Sequence, residues 1–234
     1  MHKQQPAMNM TIEPLGDSAA IVAWRTLDDL TALRAVQNAT QQLNRHRITG
    51  VYEVAPAFKS LTVYYNPVAI QWNEVEEWIT SVPHEIPMRD DQTSRLVEIP
   101  VCYETEFAPD LEAVAVAHAL QPDEVIRIHC GTEYHVQMIG FSPGFPYLAG
   151  LPPQLHTPRR HSPRLRVPVG SVAIGGNQTG IYSLETPGGW NIIGRTPVRL
   201  FDAERDPPCL LTAGDRVRFV QIDRDQFDNF RGRA

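Results

Sequence analysis

The sequence predicts an α+β protein: a small α/β N-terminal domain over residues 1–90, a β-rich barrel or sandwich over 91–225, and a polar tail at 226–234. Three observations carry this. Apolar stripes at helical spacing are interleaved with short strand patterns up to residue 82. Many short strand signals with few helices follow. Ten of the fifteen glycines and nine of the twenty prolines fall between residues 140 and 197. Such density marks tight turns and close backbone approaches.

Residues 1–8 read as disordered. Residues 10–13 and 19–24 are short strands around a Pro-Leu-Gly-Asp turn. Asp28 or Asp29 caps a helix that runs to about Arg47, with Leu30, Leu33, Val36, Ala39 and Leu43 on one stripe. Gly50 is its stop signal. Residues 51–55 and 60–65 are strands; in the second, Leu61, Val63 and Tyr65 alternate with Ser60, Thr62 and Tyr64. Residues 71–82 form a helix carrying Val75, Trp78 and Ile79. Strands with two helices on one face predict a ferredoxin-like sandwich. Residues 83–94 are a linker candidate. Residues 95–101 resume as a strand, followed by helices at 110–120 and 122–130. Pro122 opens the second, Asp123 and Glu124 suit its dipole, and Gly131 ends it. Strands follow at 134–139, 167–169, 171–174, 180–182, 191–193, 198–201 and 217–222. The tail from Arg224 is polar and reads as frayed.

A chain of 234 residues can bury a working core. Its net charge of −6 argues against a general nucleic-acid binder. The second of the paired helices has only Arg127 as a basic residue, a poor groove reader. No apolar run approaches the roughly 20 residues of a membrane span. MHKQQPAMNM lacks the apolar stretch of a signal peptide, so a cytoplasmic location is expected. Cys102, Cys130 and Cys209 lack CxxC spacing and read as buried thiols in a reducing compartment, with a catalytic cysteine as the lesser alternative. The eight histidines show neither HExxH nor HxH spacing, so no metal site is expected.

Chemistry concentrates in the glycine-rich window. Six arginines lie between positions 138 and 200 with Glu185 as the only acid, a local balance of +5. Guanidinium forks suit carboxylate or phosphate. Arg159, Arg160, Arg164 and Arg195 are therefore anion-binding candidates, weighed against a solvated basic loop. The glycine-rich turn at 175–180, with Gln178 inside it, offers an anion nest or is simply a tight hairpin, the stronger reading. Phe141, Pro143, Gly144 and Phe145 form a stiff segment that walls a pocket or packs as a lid. Gly175, Gly176, Gly188 and Gly189, with Trp190, are backbone-donor and pocket-wall candidates. No GxSxG elbow, P-loop or GxGxxG is present. Catalytic residues stay unassigned. His129 and His135 read as structural sooner than as acid–base catalysts. Glu185 or a partner protein is left to supply any carboxylate.

The runs GFSPGFPYLAGLP, TPRR, VPVGSVAIGGNQTGIY, TPGGWNIIGRTP and LFD together resemble the family of the 5-oxoprolinase B subunit, also known as the KipI-like or allophanate-hydrolase-subunit-1 family. The likeness runs from about Met10 to Ile222 and is most specific over 140–202. Val169 stands where a smaller residue is usual, and Ser183 where proline is common; both bear on local pocket shape. The resemblance implies a small α/β domain followed by a cyclophilin-like β-barrel. It implies a hydrolase complex that cleaves 5-oxoproline to glutamate. In that complex the chain works with an A subunit and a cyclophilin-like C subunit, and is inactive alone. ATP, with Mg, is then a substrate of the complex, the small ligand is a carboxylate, and the chain itself has no metal or biotin site. Two alternatives attach to the same resemblance. One is an inhibitor of a sensor histidine kinase; the other is a carboxyltransferase component of a biotin-dependent urea carboxylase-like system. Neither nucleic acid nor membrane is an expected partner, and a homo-oligomer stays open for the chain in isolation.

Overall fold

The computed structural model of the protein describes residues 10–83 and 94–231. They form two compact units, the first ending at Asp91 and the second beginning at Gln92. Residues 1–8 and all but the end residues of the linker candidate lie outside the described residues, as do the last three.

In the first unit, β1 (Thr11–Pro14) and β2 (Ala19–Ala23) form an antiparallel hairpin. Helix α1 (Asp29–Arg45) is capped by Asp28, whose carboxylate accepts the Thr31 N–H at 3.0 Å. Strands β3 (Val51–Pro56) and β4 (Ser60–Tyr65) pair antiparallel, and α2 (Trp72–Ser81) follows with a Gln71/Glu74 capping box. The sheet order is β1-β2-β4-β3. Strand β4 thus lies between β2 and β3, which α1 connects: the split β-α-β unit of the expected ferredoxin-like sandwich. The chain order differs, because the remaining strand, β1, enters before that unit instead of after the last helix. Strand alternation buries Leu61, Val63 and Tyr65 with Val36, Ala39 and Leu43 of α1 and Val75, Trp78 and Ile79 of α2.

The second unit opens with β5 (Leu96–Cys102), α3 (Leu111–Ala117) and α4 (Pro122–Cys130). Then come β6 (Glu133–Ile139), β7 (Pro146–Ala149), β8 (Arg164–Val167), β9 (Ser171–Gly175) and β10 (Gln178–Ile181). Strands β11 (Thr186–Gly188), β12 (Asn191–Arg195) and β13 (Arg216–Ile222) precede helix α5 (Arg224–Arg231). Seven strands close a barrel in the order β10-β7-β6-β13-β5-β12-β9, and β8 pairs with β11 as a separate ribbon. Strands β5 and β13 run parallel. Closure leaves no barrel edge unpaired and encloses Ile99, Val101, Tyr134, Val136, Val172, Ile174 and Phe219 with Val125 and Ile126 of α4. The fold class is therefore α+β, a sheet-and-helix unit followed by a closed barrel.

The second unit departs from the sequence expectation in several places, one of them the short strand β11, which no sequence pattern announces. Strand β7 occupies part of the stiff aromatic segment; Pro146 is tolerated as its first residue. Strand β8 begins at Arg164, ahead of the expected 167, because it pairs with β11 and not within the barrel. Residues 198–201 form no strand, and Phe201 makes a single bridge with Cys209. The tail is helical: α5 is polar on most sides but buries Phe227 against Phe107 and Cys102. There Arg224 stacks over Phe107 at 4.8 Å and pairs with Glu106 and Asp228. At residues 175–178 the hairpin reading holds. Gly176, at φ +69, takes the first loop position between β9 and β10, as a two-residue hairpin turn requires.

A polar line crosses the barrel core. The Thr179 hydroxyl donates to the Ala173 carbonyl at 3.0 Å, so it accepts from His129 Nε2–H, also at 3.0 Å. Nδ1 is then bare and accepts from the Tyr103 hydroxyl at 2.8 Å. His129 stacks on Phe219 with centroids 4.4 Å apart and has no exposure. It is a satisfied core histidine. Burial lowers its pKa to about 3, against roughly 6.5 in an unfolded chain. Between those values the unfolded state binds one more proton. The stability His129 contributes is therefore complete above about pH 6.5 and falls by up to roughly 1.4 kcal/mol per pH unit as the pH drops toward 3. Urea titrations between about pH 4 and 6 should show a shallower slope for His129→Gln than for the parent. An unchanged slope would remove His129 from the acid response.

Candidate anion-binding pocket

Beside the β8–β11 ribbon lies a pocket of ≈ 290 Å³. Its floor is an indole resting on bare backbone. A Cβ on Gly175 would lie 2.5 Å from the Trp190 ring, and one on Gly180 3.1 Å away. Two adjacent strands without side chains at these points let Trp190 lie flat. Phe145 then meets Trp190, Tyr147 and Tyr182 edge-on at 5.6, 5.0 and 5.2 Å between centroids. Edge-to-face packing fixes the rings and makes a rigid apolar wall.

Phe141 forms the rim at φ +65. The Ser142 N–H donates to the Gly140 carbonyl at 2.7 Å, an i→i+2 bond around a positive φ, which is the strained form of γ-turn. The strain is held by neighbours. Ser183 Oγ donates to the Pro143 carbonyl at 2.6 Å and accepts from Ser142 Oγ at 3.3 Å. Gly144, at φ +75, sits where a Cβ would approach Phe201 Cβ to 2.7 Å. Ser183, the departure noted in the sequence, thus supplies a hydroxyl that proline lacks.

Arg159 and Arg160 bring positive charge to the pocket. Arg159 stacks 5.8 Å over Trp190, and no carboxylate among the described residues pairs with it. Arg160 is different. Its Nη1 donates to Asp110 Oδ1 at 2.7 Å. Arg164 grips the same carboxylate through two bonds of 2.8 Å. The Ile192 N–H supplies a fourth donor at 2.7 Å, and the Asp110 side chain is only 4% exposed. Asp110 precedes α3, where an aspartate ordinarily caps the helix, yet its side chain makes no cap bond. It is turned to the arginines instead.

The ribbon completes the pocket. A Cβ at Gly188 would lie 2.2 Å from the Tyr182 hydroxyl, so glycine is required for this approach. The Arg160 N–H donates to the Gly189 carbonyl at 2.7 Å and fastens the basic loop to the ribbon's end. Burial pushes the Tyr147 and Tyr182 pKa values up; nearby Arg159 opposes the shift in both, and the Trp190 backbone N–H opposes it in Tyr182. Both phenols stay protonated at neutral pH.

Of the residues singled out in the sequence, the structure gathers Phe141, Phe145, Arg159, Arg160, Gly188, Gly189 and Trp190 around this pocket. Gly175 lies beneath its floor, and Pro143 and Gly144 shape the rim turn. Arg164 stands behind it on Asp110. Three more, Arg195, Gln178 and Gly176, neither line the pocket nor support it directly. Arg195 donates to the Val169 carbonyl at 2.9 Å and lies 5.9 Å over Phe107. Gln178 donates to Gln137 Oε1 at 3.0 Å. Gly176 belongs to the β9–β10 turn. Glu185 makes an exposed 3.8 Å pair with Arg166. Tyr147, Tyr182 and Asp110 were not singled out. The first two lay within flagged stretches; Asp110, read only as the start of a helix, is 50 residues from Arg160 and carried no signal.

Two donor guanidinium groups, two phenols and an apolar floor suit a small, flat, singly charged anion. Residues 10–211 match the family described as carboxyltransferase domain, subdomain C and D. The chain is 42% identical over 232 residues to the B subunit of 5-oxoprolinase from Bacillus subtilis (strain 168), covering 94% of this chain and 96% of that protein. Among solved structures it is similar to TTHA0988, with 35% identity and a TM-score of 0.78 over 88% of this chain, and it spans 40% of that longer chain. The Kluyveromyces lactis urea carboxylase shares the fold, with 21% identity and a TM-score of 0.78 over 97% of this chain and 23% of that one. The chain thus belongs to the carboxyltransferase-domain family of subdomains C and D, and within it to the family of the 5-oxoprolinase B subunit.

Proposed function

We propose that this chain is the B subunit of an ATP-dependent 5-oxoprolinase, which cleaves 5-oxoproline to glutamate together with its A and C subunits in the cytoplasm and is inactive without them. The observation that carries the reading is the 42% identity to a 5-oxoprolinase B subunit across nearly the whole of both chains. The pocket agrees with it. 5-Oxoproline is a flat five-membered lactam bearing one carboxylate. In this reading Arg159 holds the carboxylate, and the Tyr147 and Tyr182 hydroxyls donate to the lactam oxygen. Such donors stabilise the charge that develops on that oxygen when water attacks. The likeness to urea carboxylase, at 21% identity, is one of fold, so the carboxyltransferase reading stands second.

The pocket does not fit Mg-ATP. No lining residue is acidic, and none begins a helix whose amides would cradle a triphosphate. In this reading the nucleotide binds outside this pocket. In the reconstituted complex, Arg159→Ala should lower kcat/KM for 5-oxoproline by roughly 10- to 100-fold, mainly through KM, as expected for one lost charge-assisted bond. Arg166→Ala, outside the pocket, should leave both constants unchanged. Equal kinetics for the two variants would remove Arg159 from substrate binding.

A further inference from the structure

We infer that the pocket of this chain takes the lactam carboxylate by itself, without its partner subunits, and that Asp110 sets the pocket's preference for a singly charged ring over a polyanion. The inference rests on the 5-oxoprolinase reading for the identity of the ligand, but its site comes from geometry. The pocket is already assembled within one chain: Trp190 is seated on Gly175 and Gly180, and the basic loop is fastened by the Arg160–Gly189 backbone bond. Its aromatic walls match the faces of a small ring and offer a chain of phosphates little.

Asp110 acts at one remove from the ligand. It holds Arg160 by one bond and Arg164 by two, and the Ile192 N–H fixes the carboxylate in place. One buried negative charge thereby offsets part of the arginine cluster's positive charge. It also occupies both Nη atoms of Arg164 and leaves Arg160 with free donors toward the pocket. Without that charge, Arg159 and Arg160 at the cleft and Arg164 behind it would stand uncompensated, an arrangement suited to phosphate groups. Asp110 is a positioning residue, and its predicted effect is on selectivity.

Isothermal titration of the full chain alone decides the matter, with 5-oxoproline, 2-pyrrolidinone (the same lactam without the carboxylate), inorganic pyrophosphate and Mg-ATP as probes. The expected result is binding of 5-oxoproline, at least tenfold weaker binding of 2-pyrrolidinone, and no competition from Mg-ATP. Arg159→Ala should weaken 5-oxoproline by roughly 10- to 100-fold, while Arg166→Ala changes nothing. Asp110→Asn should weaken 5-oxoproline and strengthen pyrophosphate, changing their affinity ratio by tenfold or more. A purely structural role for Asp110 would weaken both. Displacement by Mg-ATP, equal binding of the two lactams, or absence of 5-oxoproline binding in a chain whose complex turns it over would each overturn the inference. If Asp110→Asn does not fold, the ligand series and Arg159→Ala still decide on the pocket itself. Binding through Arg159 in a chain whose assembled complex shows no turnover would uphold the inference while removing the oxoprolinase reading.

Discussion

Asp110→Ala should lower the stability of the chain by roughly 2–4 kcal/mol, because one small side chain satisfies four donors at once. Its loss leaves the buried Ile192 N–H without an acceptor and two guanidinium groups without their carboxylate. Both arginines are partly exposed and can recover water, which keeps the cost below that of a fully buried ion pair. For a chain of this size the melting temperature should fall by about 5–15 °C. Glu185→Ala, which removes only the exposed partner of Arg166, should leave it unchanged. Calorimetry of the two variants side by side checks this. Equal melting temperatures would mean that the Asp110 bonds add nothing beyond a surface pair.

The second large effect is steric. Gly175→Ala puts a methyl group 2.5–2.7 Å from three atoms of the Trp190 ring, so the indole must leave its seat. Phe145 and Tyr147 pack edge-on against that indole and lose their support with it. Overpacking of this kind costs about 1–3 kcal/mol, and 5-oxoproline turnover should fall at least tenfold as the floor rises. Gly176→Ala separates this from backbone strain. Nothing lies within 4 Å of the added Cβ there, but φ is +69. That variant should lose about 1 kcal/mol and keep its activity. The pair is read by urea titration and turnover in the reconstituted complex; comparable activity losses would show that the turn, and not the indole seat, matters.

The legible parts of the fold were those where local pattern and tertiary burial agree. The stripe from Leu33 to Leu43 and the alternation through 60–65 each bury the face they predict. Helix α5 was missed because it is polar overall and docks through Phe227, a single apolar contact that no periodicity announces. Strand β7 was obscured by Pro146, and β11 by a three-residue length and two neighbouring glycines. In the pocket, aromatic and glycine density drew attention to the right stretch. It could not distinguish arginines that line the pocket from Arg164, which is spent on Asp110, or from Arg195, which is tied to Val169. Charge pairing across 50 residues is set by where α3 begins relative to β12, and that is tertiary information.

On the proposed reading, a 5-oxoproline-cleaving complex cannot work without this chain. The measurement that bears on it most directly is 5-oxoproline-dependent ADP release by this chain mixed with its A and C partners, compared with each mixture lacking one component. ADP release is expected only in the complete mixture. Equal release by the partners without this chain, or none from a mixture that does assemble, would contradict it.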